Sequence, residues 1–318
     1  MKAVFLDHAS LDKNDLDFSG LKALFSELLL YPATHLAERL KRVHDAEVII
    51  SNKVLIDAEL MQQCPKLKLI LISATGTNNV DLSYARQQGI VVCNCQGYGT
   101  AAVAQHTLSL MLALATSLLR YDRAVTQGEW SKSSQFCLLD FPIVELSNKT
   151  LGIVGYGELG QAVAKLARAF GMNVLVAQLP GRPIQHDRVA FETLLQQVDF
   201  LSLHCPLTEQ THNLIDAQAL ASMKKSAFLI NCARGGIVNE IALAQALQQE
   251  QIAGAAMDVL AVEPPAADHL LLQGNIPNLI ITPHSAWGSV DARQRIVEQM
   301  IENTQAFIQG QPRRQVNS

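Results

Sequence analysis

The stretch Leu151-Gly152-Ile153-Val154-Gly155-Tyr156-Gly157-Glu158-Leu159-Gly160 decides the fold. A short apolar run leads into three glycines spaced G-x-G-x-x-G, and an amphipathic pattern follows at once. Leu159, Ala162, Val163, Leu166, Ala169 and Phe170 recur at helical spacing, so a helix is expected over Leu159–Phe170. Gly171 should end it in a left-handed cap. A glycine triplet alone says little. Between a strand and a helix it is the turn of a dinucleotide-binding unit. Gly155 permits the tight turn, Gly157 lets the backbone approach a pyrophosphate, and Gly160 lets helix and strand pack closely. The helix N-terminus then offers unpaired N–H groups to the phosphates.

The same rhythm extends in both directions. Downstream, Asn173–Ala177, Phe200–His204, Ala227–Asn231, Gly254–Val259 and Leu279–Thr282 read as strands beside Thr150–Val154. Upstream, Ala3–Leu6, Glu47–Ser51, Leu67–Ser73 and Ile90–Cys93 do so too, with helices over Ala33–His44 and Asp57–Gln63 between them. These runs are rich in Val, Ile and Leu without strict polar alternation, as in parallel sheets covered on both faces. The expected fold is α/β: two Rossmann-like, doubly wound parallel-sheet domains with a cleft between them. Two long helices, Ala101–Arg120 and about Val290–Gln309, bracket the second unit as a hinge. The first domain is then discontinuous, residues 1–98 plus 289–318, and the second spans 99–288.

Bulk properties narrow the class. The 318 residues suit two domains, and 49% hydrophobic residues suit an ordinary core. A net charge of -4 with no basic run argues against nucleic acid as a partner. Met1–Asp7 lacks the pattern of a signal peptide, so none is expected. The apolar run Val103–Leu119 carries Gln105, His106, Ser109, Thr116 and Ser117, too polar for a membrane span and suited to a buried interdomain helix. The six cysteines form no C-x-x-C pair; they read as reduced, buried thiols of a cytoplasmic protein, with no metal site.

The strand after the glycine turn normally ends in an acid that holds the adenosine ribose. Here it ends in Gln178, and Arg182 follows closely. Losing the carboxylate removes a repulsion against a 2′-phosphate, and a nearby arginine can pair with one. NADP or dual use is thereby opened, while Gln178 bonding the ribose of NAD remains an alternative.

Three polar residues follow later strands. Arg234 lies in Asn231-Cys232-Ala233-Arg234-Gly235-Gly236, Glu263 in Val262-Glu263-Pro264-Pro265, and His284 in Thr282-Pro283-His284-Ser285-Ala286-Trp287. In open α/β sheets ligands bind at the carboxyl ends of strands. Singly, each has a structural explanation. Together they suit carbonyl reduction: the histidine donates a proton to the oxygen, the carboxylate orients the ring, and the guanidinium grips a substrate carboxylate and polarises the carbonyl.

These motifs, with Ser73–Asp81, Val103-Ala104-Gln105-His106-Thr107 and His204-Cys205-Pro206-Leu207-Thr208, run nearly end to end. In that order they resemble the D-isomer-specific 2-hydroxyacid dehydrogenases, nearest the glycerate dehydrogenase or hydroxypyruvate reductase branch. The resemblance implies a homodimeric NAD(P)H-dependent oxidoreductase acting on a small 2-keto or 2-hydroxy acid. It implies that Arg234, Glu263 and His284 are catalytic, that the N–H groups of Thr75 and Gly76 hold the substrate carboxylate, and that Trp287 caps its pocket. It further implies that Tyr156, Glu158 and Leu159 line the pyrophosphate turn. His204, Cys205, Pro206, Thr211, Cys232, Ala233 and Asp258 would line the remaining cofactor cleft, with Val103 near the nicotinamide. Ala101-Ala102 and Asn239 depart from the family's usual residues. The alternative is a dinucleotide-sensing binding protein of the corepressor type on the same fold.

Overall fold

A computed structural model describes residues 1–183, 185–274 and 276–318. The chain divides into two compact units, Met1–Gly99 with Gly288–Ser318, and Thr100–Trp287.

In the first unit, strands β1 (Lys2–Phe5), β2 (Glu27–Leu30), β3 (Val48–Ser51), β4 (Leu69–Ile72) and β5 (Val91–Cys93) form a parallel sheet in the order β2-β1-β3-β4-β5. β3 and β4 are buried along their whole length, which explains their unbroken apolar runs. Helix Val290–Ile308 belongs to this unit, and the Ser289 hydroxyl caps it by accepting from the Ala292 N–H.

The second unit holds β6 (Thr150–Val154), β7 (Asn173–Val176), β8 (Phe200–Leu203), β9 (Phe228–Asn231), β10 (Gly254–Met257) and β11 (Leu279–Ile281). All pair in parallel, in the order β11-β10-β9-β8-β6-β7. The chain leaves β6 to one side for β7 and returns past it to the other for β8. The carboxyl end of β6 is therefore a topological switch point, and the glycine turn sits on it. Both sheets are fully parallel and α/β, as the sequence implied. The helix after the turn runs Glu158–Ala169, and Gly171 follows it at a φ of +75°.

Three expectations need correction. β2 was not foreseen: its sequence Glu-Leu-Leu-Leu lacks β-branched residues, and as an edge strand it pairs only with β1. The helix expected over Ala33–His44 is shorter, a 3-10 turn Leu36–Glu38 running into Arg39–Val43. The long helix expected over Ala101–Arg120 is two helices, Thr100–Ala115 and Leu118–Thr126, bent by 59°. Ser117 breaks it with a φ of +51°, and its hydroxyl leaves the helix to donate to the Pro142 carbonyl at 2.8 Å. Thr100–Ala115 packs against β9, β10 and the Glu158–Ala169 helix, burying Val103, Leu108, Met111 and Leu114. Among the described residues no single helix is long and apolar enough to cross a membrane.

Five of the six cysteines are buried and Cys137 is partly exposed. Burial pushes the thiols of Cys95 and Cys232 up to about 12 and those of Cys64, Cys93 and Cys205 up to about 11. Asn239, one of the noted departures, caps helix Glu240–Gln248 by accepting from the Ala242 N–H at 3.0 Å. The resemblance would put Asp at this position, and Asn and Asp cap about equally well, so the change is neutral there.

Candidate active site

Each glycine of the turn has a distinct steric reason. Gly155 stands at a φ of +96°, and a Cβ there would lie 2.5 Å from the Cys205 nitrogen. The turn thus packs directly on the backbone that leaves β8. At Gly160 a Cβ would lie 2.2 Å from the Gly155 carbonyl oxygen, so only glycine lets the helix approach the strand. Gly157 differs: a Cβ there would meet nothing within 4 Å, although it opens a helix. Packing within the described residues therefore does not require glycine at this position. An open face at a helix N-terminus fits a pyrophosphate. Tyr156, Glu158 and Leu159 flank this face, and Glu158 Oε1 accepts from the Thr100 hydroxyl at 2.6 Å.

The segment after β8 closes the other side of the turn. Burial lowers the His204 imidazole to about 4, so it is neutral at neutral pH. Its Nε2 lies 2.9 Å from the Ser202 hydroxyl, and its Nδ1 is buried with no partner among the described residues. An orphaned polar atom beside the turn again fits a bound polar group. Thr211 ties the loop together, donating to the Pro206 carbonyl at 2.7 Å while accepting from the Thr208 N–H at 2.7 Å.

Arg234, Glu263 and His284 follow β9, β10 and β11, three neighbouring strands, at their carboxyl ends. Gly235 makes the first turn possible, because a Cβ there would collide with the Leu260 carbonyl. Asn231 fixes the same turn: its amide donates to the Arg234 carbonyl and accepts from the Ala233 N–H, both at 3.0 Å. The exposed Arg234 side chain rests on the Ala233 carbonyl at 2.7 Å. Cys232 and Ala233 are buried beneath it.

Glu263 and His284 form a pair. Nδ1 of His284 lies 2.6 Å from Oε2 of Glu263, and Oε1 accepts from the Leu260 N–H at 2.9 Å. A carboxylate only accepts, so Nδ1 carries the hydrogen and Nε2 is the atom left for chemistry. His284 sits at a φ of +53°, a rare conformation for a side chain of this size. Its backbone N–H, 2.7 Å from the Asp258 carbonyl, holds it there.

Asp258 does more than the sequence suggested. Its buried carboxylate accepts from the Thr282 hydroxyl at 2.6 Å and from the Ser285 and Ala286 N–H groups at 3.0 Å. It therefore holds the loop on both sides of His284. His106 completes the network, its Nε2 3.0 Å from the Thr282 hydroxyl. In the sequence His106 stands out only within the Val103–Thr107 motif; its place beside Thr282 is visible only in the fold.

The remaining expected residues are placed as follows. Val103 is buried in helix Thr100–Ala115, and Trp287 packs against the core of its own unit. Gln178 follows β7, with its amide turned onto the next loop rather than free. Arg182 is exposed in that loop. Thr75 and Gly76 lie in the first unit, exposed, on the loop after β4. There the Thr75 carbonyl accepts from the Asn94 amide at 2.7 Å, and a Cβ on Gly76 would meet nothing within 4 Å. Among the described residues no cluster of His, Cys, Asp or Glu is arranged to hold a metal ion.

Comparison with known proteins agrees with this layout. Residues 108–286 match the D-isomer specific 2-hydroxyacid dehydrogenase, NAD binding domain. The chain is 43% identical to a glycerate dehydrogenase of Methylorubrum extorquens, over 100% of this chain and 99% of that protein. It is 36% identical to a hydroxypyruvate reductase of Blautia hydrogenotrophica, over the full length of both. The crystal structure of the TT0316 protein from Thermus thermophilus superposes with a TM-score of 0.86 at 35% identity, covering 99% of this chain and 100% of that one. The glycine turn at the switch point, the nicotinamide-binding match over the second unit and the full-length relatives lead to one conclusion: the chain belongs to the D-isomer specific 2-hydroxyacid dehydrogenases.

Proposed function

We propose that this dehydrogenase reduces a short 2-keto acid, hydroxypyruvate or glyoxylate, to D-glycerate or glycolate at the expense of NAD(P)H. The observation that carries the reading is the Glu263–His284 pair, held at 2.6 Å on loops leaving adjacent strands of the sheet that bears the glycine turn. The relatives named glycerate dehydrogenase and hydroxypyruvate reductase support the substrate class.

The cofactor fits the open face at Gly157 and the buried Nδ1 of His204. When bound, it would supply a hydride, one proton together with two electrons, to the carbonyl carbon. The carbonyl π pair then moves onto oxygen, and His284 donates the proton that completes the hydroxyl. Glu263 holds the ring with Nε2 turned to the substrate. Arg234 binds the substrate carboxylate and draws electron density toward the carbonyl oxygen. In the first unit, the backbone N–H groups of Thr75 and Gly76 are suited to a substrate carboxylate, and the open space at Gly76 suits a ligand at that loop. Trp287 caps the substrate, and Val103 borders the nicotinamide. The first unit is then the substrate domain and the second the dinucleotide-binding domain.

The test is a steady-state assay of hydroxypyruvate, glyoxylate and pyruvate, each with NADH and NADPH, on wild type and His284→Ala. Turnover of the first two substrates is expected. His284→Ala should cut kcat at least ~100-fold while leaving dinucleotide binding intact. Retained turnover in the variant removes His284 from the mechanism.

The same reading makes the protein a cytoplasmic homodimer. Leu118, Trp130, Phe136, Leu139 and Ile143 are exposed within one short segment of the second unit, a surface suited to a second copy. Light scattering should give twice the 34.7 kDa chain mass; the mass of a single chain would refute the dimer. Fractionation of cells should recover the enzyme with the cytoplasm.

A further inference from the structure

The loop after β7 carries a feature that the glycine fingerprint alone did not reveal. Gln178 ends the strand where an acid would grip the adenosine ribose hydroxyls. Its side chain is neutral and occupied with the loop backbone. Nε2 donates to the carbonyls of Leu179, Arg182 and Pro183 at 3.2, 3.1 and 3.2 Å, and Oε1 accepts from the Gln185 N–H at 3.2 Å. The loop is thereby folded back on the strand end. Val189 then pairs beside Ala177, and the Val189 carbonyl accepts from the Gln178 N–H at 2.7 Å. This return brings Arg188 over the ring of Tyr156, 4.9 Å from its centroid. Tyr156 is the second residue of the glycine turn. A half-buried guanidinium therefore stands between the turn and the end of β7, where the adenosine ribose of a bound dinucleotide would lie. Its neighbour Asp187, 2.7 Å away, is mostly exposed, and such a pair gives way readily to a phosphate.

We propose that this subsite takes the 2′-phosphate of NADPH, with Arg188 as the principal contact and Arg182 as a second source of charge. The proposal rests on the reading of the glycine turn as the pyrophosphate site. Gln178 acts by omission: it braces the loop that carries both arginines without itself presenting a carboxylate at the strand end, which leaves the exposed Asp187 as the carboxylate the phosphate must displace from Arg188. A guanidinium matches phosphate in geometry and charge, whereas the 2′-hydroxyl of NADH offers it only a neutral partner.

The test titrates the full-length protein with NADPH and with NADH, following nicotinamide fluorescence in the absence of substrate. NADPH is expected to bind at least ~10-fold more tightly. Arg188→Gln should weaken NADPH binding by about tenfold and change NADH binding less than about twofold, while Arg188→Lys should retain part of the preference. Retained NADH binding shows at once that the Arg188→Gln protein is folded. Equal or tighter binding of NADH by wild type overturns the proposal, as does an equal loss of both dinucleotides in Arg188→Gln. Binding of neither dinucleotide by wild type would overturn the reading of the glycine turn itself, and this proposal with it.

Discussion

His284 Nδ1 lies 2.6 Å from Glu263 Oε2, while the second oxygen of that carboxylate is held by the Leu260 N–H at 2.9 Å. The carboxylate is thus anchored to its own loop before it reaches the ring, so it fixes the tautomer and direction of His284 together. Glu263→Gln keeps the shape but presents an amide that is free to turn its nitrogen toward the ring. Its kcat should fall roughly 100-fold or more, with dinucleotide binding unchanged by fluorescence titration. A kcat near that of wild type would show that His284 needs no carboxylate partner.

Gly157 and Gly160 face different surroundings. A Cβ at 157 enters open space, whereas one at 160 would lie 2.2 Å from the Gly155 carbonyl oxygen. Gly157→Ala should therefore melt close to the wild-type temperature yet bind dinucleotide at least ~10-fold more weakly. Gly160→Ala should lose both, because the helix must move off the strand at a cost of about 1–3 kcal/mol. Normal dinucleotide affinity in Gly157→Ala would mean that the open face is not the pyrophosphate site.

Asp258 anchors the loop that carries His284. Removing its carboxylate leaves the Thr282 hydroxyl and the Ser285 and Ala286 N–H groups without their acceptor. Asp258→Ala should cost about 2–4 kcal/mol in urea unfolding and lower kcat in the fraction that remains folded. Unchanged stability would show that another group or water takes over the three donors.

Asp15 and Arg293 pair within the first unit, with Arg293 nitrogens 2.7 and 2.6 Å from the two carboxylate oxygens. The Arg293 hydrogen bonds hold Asp15 down at about 2, against an ordinary 3.8. The folded value lies below the unfolded one, so the stabilisation is fully present above 3.8 and fades as pH falls through about 2. Asp15→Asn should therefore melt slightly below wild type near neutrality, and the gap should close on acidification from about pH 4 to about pH 2. The gap should be small, because the Asp15 carboxylate is exposed to solvent, which screens it. A gap that is constant with pH would assign it to packing instead.

Much of this protein was legible because its information is local. Strand–glycine–helix order and apolar runs without alternation follow from backbone sterics and burial on both faces, and a sequence shows them directly. Arg234, Glu263 and His284 could be singled out because each follows a readable strand end. β2 escaped because three leucines next to a glutamate carry no strand signature, and only pairing with β1 makes them a strand. The break at Ser117 escaped because its cause, the Pro142 carbonyl, lies 25 residues away.

The sequence by itself determined the parallel α/β class, the glycine turn and the identity of the polar groups at the strand ends. Each depends on residues close together in the chain. Only the tertiary structure decided that Glu263 meets His284, that Asp258 and Thr282 hold the histidine's loop, and that Arg188 stands over Tyr156. Those partners are separated by about 20 to 30 residues of chain, and it is the order of parallel strands in the sheet that brings their loops to one edge.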